Sequence, residues 1–255
     1  MIPAMKKADY SKAFSLEKIE GISLEAVSHK VLRALESVKT SSFKVDGNIK
    51  VKAIREDSKR TNYIDKTRLV SDEKYILNIN KTQDGALVEV YYVADKALFY
   101  AVLAVLAMAE ENLFPQGESE DYPLFPIRGL IEGFYGRPWS FEERKGMIAL
   151  AAKNKMNTFF YAPKDDDYHR KLWRDFYPAQ ELERLAALNE ASKDCFIDFH
   201  YCIAPGLSAK YSDDQEFETL VKKTKQLYDA GINNFGLLFD DINLELEYEE
   251  DKAVY

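Results

Sequence analysis

Residues 235–241 read Phe235-Gly236-Leu237-Leu238-Phe239-Asp240-Asp241. An uninterrupted apolar run of this length predicts a strand buried on both faces. Carboxylates at the carboxyl end of such a strand sit where barrels and open α/β sheets hold their chemistry. Two adjacent acids cannot both ionise freely, so their proton affinities separate. One acid and one anion side by side suit cleavage of a glycosidic bond. In a regular strand consecutive residues point to opposite faces. Asp240 and Asp241 share a pocket only if the strand ends and bends there, and Asp241, followed by Ile242 and Asn243, can already belong to the loop.

Upstream of this run the same rhythm repeats. Ile127–Phe134 predicts a strand and Ser140–Lys155 a helix, with Ser140 as N-cap and Glu143 at the capping-box position. Met156–Tyr161 predicts a strand, Ala179–Lys193 a helix, Cys195–Ile203 a strand, and Asp214 to about Ala230 a helix with Gly231 as C-cap. Asn233–Phe239 is the fourth strand. Alternating strands and helices imply a parallel sheet with right-handed crossovers. The predicted fold class is therefore α/β, with four βα units over residues 126–255.

Before residue 114 the pattern differs. Residues 22–38 carry Ile22, Val27, Val31, Leu32, Leu35 and Val38 at helical spacing. Short runs follow at Phe43–Val45, Ile49–Ile54, Tyr75–Ile79 and Ala86–Tyr92, the last three alternating as half-exposed antiparallel strands do. Asp95 can cap a second helix that runs to about Asn112. This predicts a small α+β domain over residues 1–113. The turn-rich acidic stretch from Phe114 to Pro123 predicts a linker over 114–125.

Composition narrows the function. The chain has 255 residues, 46% of them hydrophobic, enough for a sizeable core. Its net charge of −8 argues against nucleic acid as partner, because phosphate binding needs a basic surface. Cys195 and Cys202, seven residues apart in a strand-like segment, are out of disulfide reach and read as reduced core thiols. His29, His169 and His200 show no ligand spacing, so no metal and no cofactor is expected. The most apolar stretch, Ala97 to Ala109, is too short to span a bilayer. No apolar h-region follows the amino terminus, so the expected location is the cytoplasm, or outside the cell if a leader precedes the sequence.

Unusual residues accumulate after the strands, on one rim. Glu132-Gly-Phe-Tyr-Gly-Arg-Pro-Trp139 follows the first and Tyr161-Ala-Pro-Lys-Asp-Asp-Asp-Tyr-His-Arg170 the second. Ala204-Pro-Gly206 follows the third and Asp240-Asp241 the fourth. Loop-borne chemistry at one end of a barrel has this asymmetry.

Together these clusters resemble glycoside hydrolase family 84, the O-GlcNAcases and related bacterial β-N-acetylglucosaminidases, often labelled hyaluronidases. The matching text is Arg128 to Trp139, Asn157 to Asp166 with Tyr168-His-Arg170 and Trp173-Arg174, Ala204-Pro-Gly206, and Leu238 to Ile242. One departure is Asp167, which replaces a proline of the family's lysine loop. The resemblance implies that the four βα units are the first half of a (β/α)8 TIM barrel, which removes terminal β-linked N-acetylglucosamine with retention, through attack of the sugar's own acetamido oxygen on C1. It further implies that Asp240 orients and polarises the acetamido N–H. Asp241 protonates the leaving oxygen and then deprotonates water, Gly133 lies by the sugar through its backbone, and Lys164 donates to a sugar hydroxyl. The implied partner is an N-acetylglucosamine-bearing glycoside or glycoprotein, with neither nucleic acid nor membrane. The leading domain resembles, more weakly, a small domain that precedes the barrel in bacterial relatives.

Other candidates are secondary. Glu132 is an acid at a strand end. Tyr135 and Tyr161 could stack on a sugar or fill the barrel mouth, and the residues alone leave both open. Asp165 to Asp167 and Arg170 read as a solvated or loop-bracing charge network, Trp139 and Trp173 as rim packing, and His169 and His200 as structural. A full barrel takes about 250 residues. Four βα units by themselves expose two strand edges, so the expectation is an amino-terminal fragment of a longer enzyme or self-association through those edges. The alternative functions are a non-catalytic remnant that binds glycans or a partner chain, and a Schiff-base lyase using Lys164.

Overall fold

A computed structural model describes residues 6, 8–38, 47–56, 72–240 and 248–253. Two compact units are present. The first comprises Met1–Pro126 with Ala152–Lys155 and Asp194–Phe196, and the second the remainder.

The first unit is a mixed sheet with two helices. Its elements are β1 (Ile22–Glu25), α1 (His29–Ser37), β2 (Ile49–Arg55), β3 (Tyr75–Lys81), β4 (Ala86–Tyr92), α2 (Asp95–Glu111) and β5 (Gly117–Asp121). Strand order is β1-β2-β4-β3-β5. The pairs β1–β2 and β2–β4 are parallel, while β3 runs antiparallel to both β4 and β5. Alternation works as expected in β2, where Ile49, Val51 and Ala53 are buried and Lys50 and Lys52 exposed. Helix α2 is apolar on every side and buries an unbroken run from Ala97 to Leu106. It stops at Asn112, which adopts left-handed backbone, and the Asn112 amide both donates to and accepts from the Leu16 backbone.

Three expectations change here. Ile49–Ile54, expected to be an antiparallel strand, falls in β2, which runs parallel to both its neighbours. The helical spacing over 22–38 holds only for α1. Ile22–Glu25 pairs in register with Ile49–Lys52, and Ser28 starts the helix by accepting the Val31 N–H. Pairing with a buried neighbour strand outweighs a local periodicity. The stretch 114–125, a linker by composition, contains β5, whose Gly117–Asp121 pairs with Tyr75–Ile79. Phe114 within it is fully buried and stacks on Phe14 at 5.6 Å. Phe43–Val45 lies outside the described residues.

The second unit is α/β. It comprises β6 (Gly129–Glu132), α3 (Phe141–Lys153), β7 (Thr158–Tyr161), α4 (Ala179–Asp194), β8 (Asp198–Ile203), α5 (Asp214–Asp229) and β9 (Asn234–Leu237). The four strands are parallel and lie in chain order, β6-β7-β8-β9. The capping box at α3 forms: Glu143 N–H donates to Ser140 Oγ, and Ser140 N–H to the Glu143 carboxylate. Helix α5 ends as its glycine predicts. Gly231, at φ +90°, donates to Tyr228 O while Ile232 N–H donates to Leu227 O, a Schellman closure.

Register decides which side chains meet. Glu132, Tyr161, Tyr201 and Phe235 form one row across the sheet, and Ile131, Phe160, His200 and Asn234 the next. Neighbouring rows face opposite ways. The first row faces the helices, since the Arg144 guanidinium of α3 lies over the Tyr161 ring. Gly236 permits the β8–β9 approach, because a Cβ there would sit 2.8 Å from Cys202 Sγ. Cys202 and Cys195 are buried free thiols, and Cys195 precedes β8 rather than lying within it.

The run that ends at Asp240 is not buried on both faces. Phe235, Leu237 and Phe239 are 36%, 47% and 46% exposed. Among the described residues β9 is the last strand of its sheet, where the layers that would cover both of its faces are incomplete. Among the described residues, no helix is long and apolar enough to cross a membrane.

Candidate active site

The loops after β6 and β7 and the end of β9 meet in one cluster. From the loop after β7, the Lys164 ammonium donates to Asp240 Oδ2. Lys164 is nearly buried, at 7% side-chain exposure, whereas Asp240 is half exposed. Tyr135, from the loop after β6, lies 5.8 Å under Lys164 Nζ and 5.9 Å from the Arg170 guanidinium. A surface phenol flanked by two cations is held by the ring's quadrupole. The hydrogen bond from Lys164 is the main cause that holds the Asp240 carboxyl below its usual range, with the Arg170 charge adding in the same direction. Asp240 is thus an anion throughout the neutral range, as a residue that must face positive charge requires.

Gly133 stands beside this cluster in the strand-end text. A Cβ there would meet only Ile131 Cγ1 at 3.4 Å and Ile131 Cδ1 at 3.6 Å, and its backbone is not left-handed. The fold itself does not demand glycine at 133. Asp241 lies outside the described residues.

Glu132 and Tyr161 do not join the cluster. Glu132 is fully buried on the helix side of β6. Its two oxygens accept from Arg144 Nε at 2.7 Å and Nη2 at 2.9 Å, and Oε1 also accepts the Trp139 N–H at 3.1 Å. Tyr161 is 5% exposed in the same row, its hydroxyl donating to Asp166. Both are bracing residues, because strand parity turns them away from the open face.

Two participants carried little signal in sequence. Arg170 looked like one more solvated charge in an acidic loop, yet its guanidinium flanks Tyr135. Asp166 looked like the middle of an acidic triplet, yet it gathers Tyr161, Tyr177 and Tyr168. The recurrence of tyrosine at 161, 168, 177 and 201 was the available clue. His169 is structural, as expected. It is fully buried, its Nδ1 lies 2.6 Å from Cys202 O, and burial lowers its proton affinity, so it stays neutral.

A separate cavity of about 560 Å3 lies behind the lysine loop, lined by Phe141, Arg144, Tyr161, Asp166 and Tyr177 among others. None of Gly133, Tyr135, Lys164 or Asp240 borders it. Among the described residues, no three His, Cys, Asp or Glu side chains converge as metal ligands would.

Comparison with known proteins agrees with this arrangement. The β-N-acetylglucosaminidase family model matches residues 128–254. Protein O-GlcNAcase of Rattus norvegicus and that of Mus musculus are each 45% identical over 127 residues, 50% of this chain and 14% of theirs. The chain thus spans 14% of the length of these curated relatives. Among solved structures, CpGH84B is similar over 95% of this chain and 44% of its own, with a TM-score of 0.71 and 28% identity. A mutant of the Thermobaculum terrenum O-GlcNAc hydrolase is similar over 51% of this chain and 28% of its own, with a TM-score of 0.50 and 42% identity. A parallel sheet in chain order, a lysine paired to the first acid of the strand-end doublet, and these similarities lead to one assignment: the chain belongs to glycoside hydrolase family 84, the β-N-acetylglucosaminidases.

Proposed function

We propose that this chain carries the acetamido-binding part of a retaining, substrate-assisted β-N-acetylglucosaminidase site. The observation that carries the reading is the Lys164–Asp240 ion pair over Tyr135, at the carboxyl ends of β7 and β9. In this reading the Asp240 carboxylate accepts the N–H of the sugar's 2-acetamido group and turns its carbonyl oxygen toward C1. That oxygen attacks C1 as the bond to the leaving oxygen breaks. Asp241 supplies the proton to the leaving oxygen and later takes one from the attacking water, which opens the bicyclic intermediate with net retention. Positive charge develops on the acetamido nitrogen and C1 during ring closure, and a nearby fixed anion stabilises it. An anion at 240 also raises the proton affinity of its neighbour, as a general acid needs. Lys164 holds a sugar hydroxyl with one of its donors, and Gly133 lets the sugar approach the backbone.

All residues of this reading lie in the second unit, so we assign the chemistry there and treat the first unit as a separate α+β domain. The substrate class is a terminal β-N-acetylglucosaminide on a glycoside or glycoprotein. Calorimetric titration with an N-acetylglucosamine thiazoline, a mimic of the bicyclic intermediate, tests the site directly. Saturable binding that Asp240→Ala abolishes is expected. A folded chain that shows no heat of binding overturns the assignment.

We also propose that the sheet edges support self-association. Among the described residues, β6 and β9 each have one unpaired side within their sheet. Ile131 on β6 is 55% exposed and Leu237 on β9 is 47% exposed. Unpaired parallel edges with exposed apolar residues are templates for another chain. Size-exclusion chromatography with light scattering should give a species heavier than the 29.3 kDa monomer. A sharp monomer peak that persists as concentration rises would remove this proposal.

A further inference from the structure

The residue that fixes Lys164 is hidden behind it. Asp166 N–H donates to Pro163 O at 3.0 Å, closing a turn across Pro163-Lys164-Asp165-Asp166 with Lys164 at its second position. Upstream, Ala162 N–H is held at 3.1 Å by Glu132 O, so that end of the segment is tied to β6. Downstream, the turn depends on Asp166.

The Asp166 carboxylate is the centre of a hydrogen-bonded hub. Oδ2 accepts from Tyr161 Oη at 2.8 Å and from Tyr177 Oη at 2.5 Å, while Oδ1 accepts the Tyr168 N–H at 2.9 Å. Tyr201 Oη lies 3.0 Å from Tyr177 Oη and 3.4 Å from Tyr168 O, to which it donates. Burial raises the proton affinity of the Tyr161, Tyr177 and Tyr201 hydroxyls, so each stays a donor across the usable pH range. Tyr161 and Tyr201 belong to neighbouring strands in one row of the sheet. The carboxylate is therefore tied directly to the sheet through Tyr161, and to the rest of its loop through Tyr168 and Tyr177, whose hydroxyl in turn meets Tyr201 of β8.

We propose that Asp166 is a positioning residue: its carboxylate anchors the turn that delivers the Lys164 ammonium to Asp240. Asp166 borders the cavity behind the loop and touches none of Gly133, Tyr135 or Asp240. The inference deepens the reading of Lys164 as a ligand-holding group and rests on it. Its physical content is a coupling between two sites on opposite sides of one turn. Short side chains with several rigid partners set geometry better than long flexible ones, and Lys164 by itself is flexible.

The test is a double-substitution cycle read at Asp240. The groups that set the Asp240 titration are Lys164 by hydrogen bond and charge and Arg170 by charge. The aspartates of the complete chain are labelled with 13C at the carboxyl carbon, and the Asp240 resonance is followed with pH in wild type, Asp166→Asn, Lys164→Met and the double variant. Asp166→Asn should move the Asp240 midpoint up by about half a unit to one unit, because the opposing charge is less well placed. Lys164→Met should move it further, and the double variant should match Lys164→Met alone, since both changes act through one ammonium. Tyr177→Phe, which removes one donor and keeps the ring, should give a smaller shift of the same sign. A midpoint unchanged in folded Asp166→Asn and Tyr177→Phe, or shifts that add in the double variant, would overturn the proposal. This readout needs no turnover, so a chain that shows the coupled shift but binds no thiazoline rejects the sugar-binding reading of Lys164 and keeps the positioning one.

Discussion

Asp240→Asn lowers kcat/KM for aryl N-acetyl-β-glucosaminides by about a thousandfold. The substitution keeps the shape and one acceptor but removes the charge. A neutral amide can still hold the substrate's N–H, so ground-state binding of the sugar falls less than the rate does. In the proposed mechanism the loss is of stabilisation that exists only as the acetamido group becomes positive, and such a loss should appear in kcat. The variant also leaves the nearly buried Lys164 ammonium without its carboxylate, which weakens the hold on the sugar hydroxyl. The pH profile adds a second check. Lys164 and Arg170 hold the Asp240 carboxyl below its usual range, so loss of the Asp240 anion falls below about pH 4. Any acid limb between pH 5 and 7 therefore belongs to another group, and it should persist in Lys164→Arg, which keeps the cation. Rates are measured on the gene-encoded protein with substrates of differing leaving-group acidity. A loss smaller than tenfold in a folded Asp240→Asn protein would remove Asp240 from the reaction.

Much of the second unit was legible in its sequence because its signals are local. The capping box at Ser140 and Glu143, the glycine at 231 and the recurring apolar runs each specify one feature within a few residues. Topology placed Lys164 and Asp240 on one rim, since both stand just after strands of one parallel sheet, but their pairing with each other was not legible. What stayed hidden depends on partners distant in the chain. β1 formed inside a helical pattern because β2 was there to pair with it, and β5 formed in an acidic stretch because β3 was. Strand parity could have removed Glu132 and Tyr161 from the site, had the register with Tyr201 been known. The partial exposure of Phe235, Leu237 and Phe239 was illegible because an apolar run reports what a strand can bury, not what lies beside it. Asp166 was missed for the converse reason: its three partners sit at 161, 168 and 177, and only folding shows that their donors converge on one carboxylate.

Arg144→Met should lower the unfolding free energy of the second unit by about 3–5 kcal/mol. The Glu132 carboxylate is fully buried, and two of its three hydrogen bonds come from the Arg144 guanidinium. Removing the cation leaves a desolvated anion with only the Trp139 N–H, and an unpaired buried charge is among the most damaging single changes. Arg144 also covers the Tyr161 ring, with its guanidinium carbon 4.9 Å from the centroid, so methionine keeps part of the apolar contact and isolates the charge effect. The double change Glu132→Gln with Arg144→Met should recover a good part of the loss, because an amide is far cheaper to bury than a carboxylate. Urea denaturation followed by Trp fluorescence suits the measurement, since both tryptophans, Trp139 and Trp173, lie in the second unit. The effect reaches the site as well. Glu132 immediately precedes Gly133, and its backbone carbonyl holds Ala162 two residues before Lys164. A strand end that loosens at Glu132 frees both loops of the cluster together, so the same variant should weaken thiazoline binding at temperatures where the protein remains folded. A cost below about 1 kcal/mol would mean that solvent reaches the carboxylate, and the buried pair would then have no claim to organise the rim.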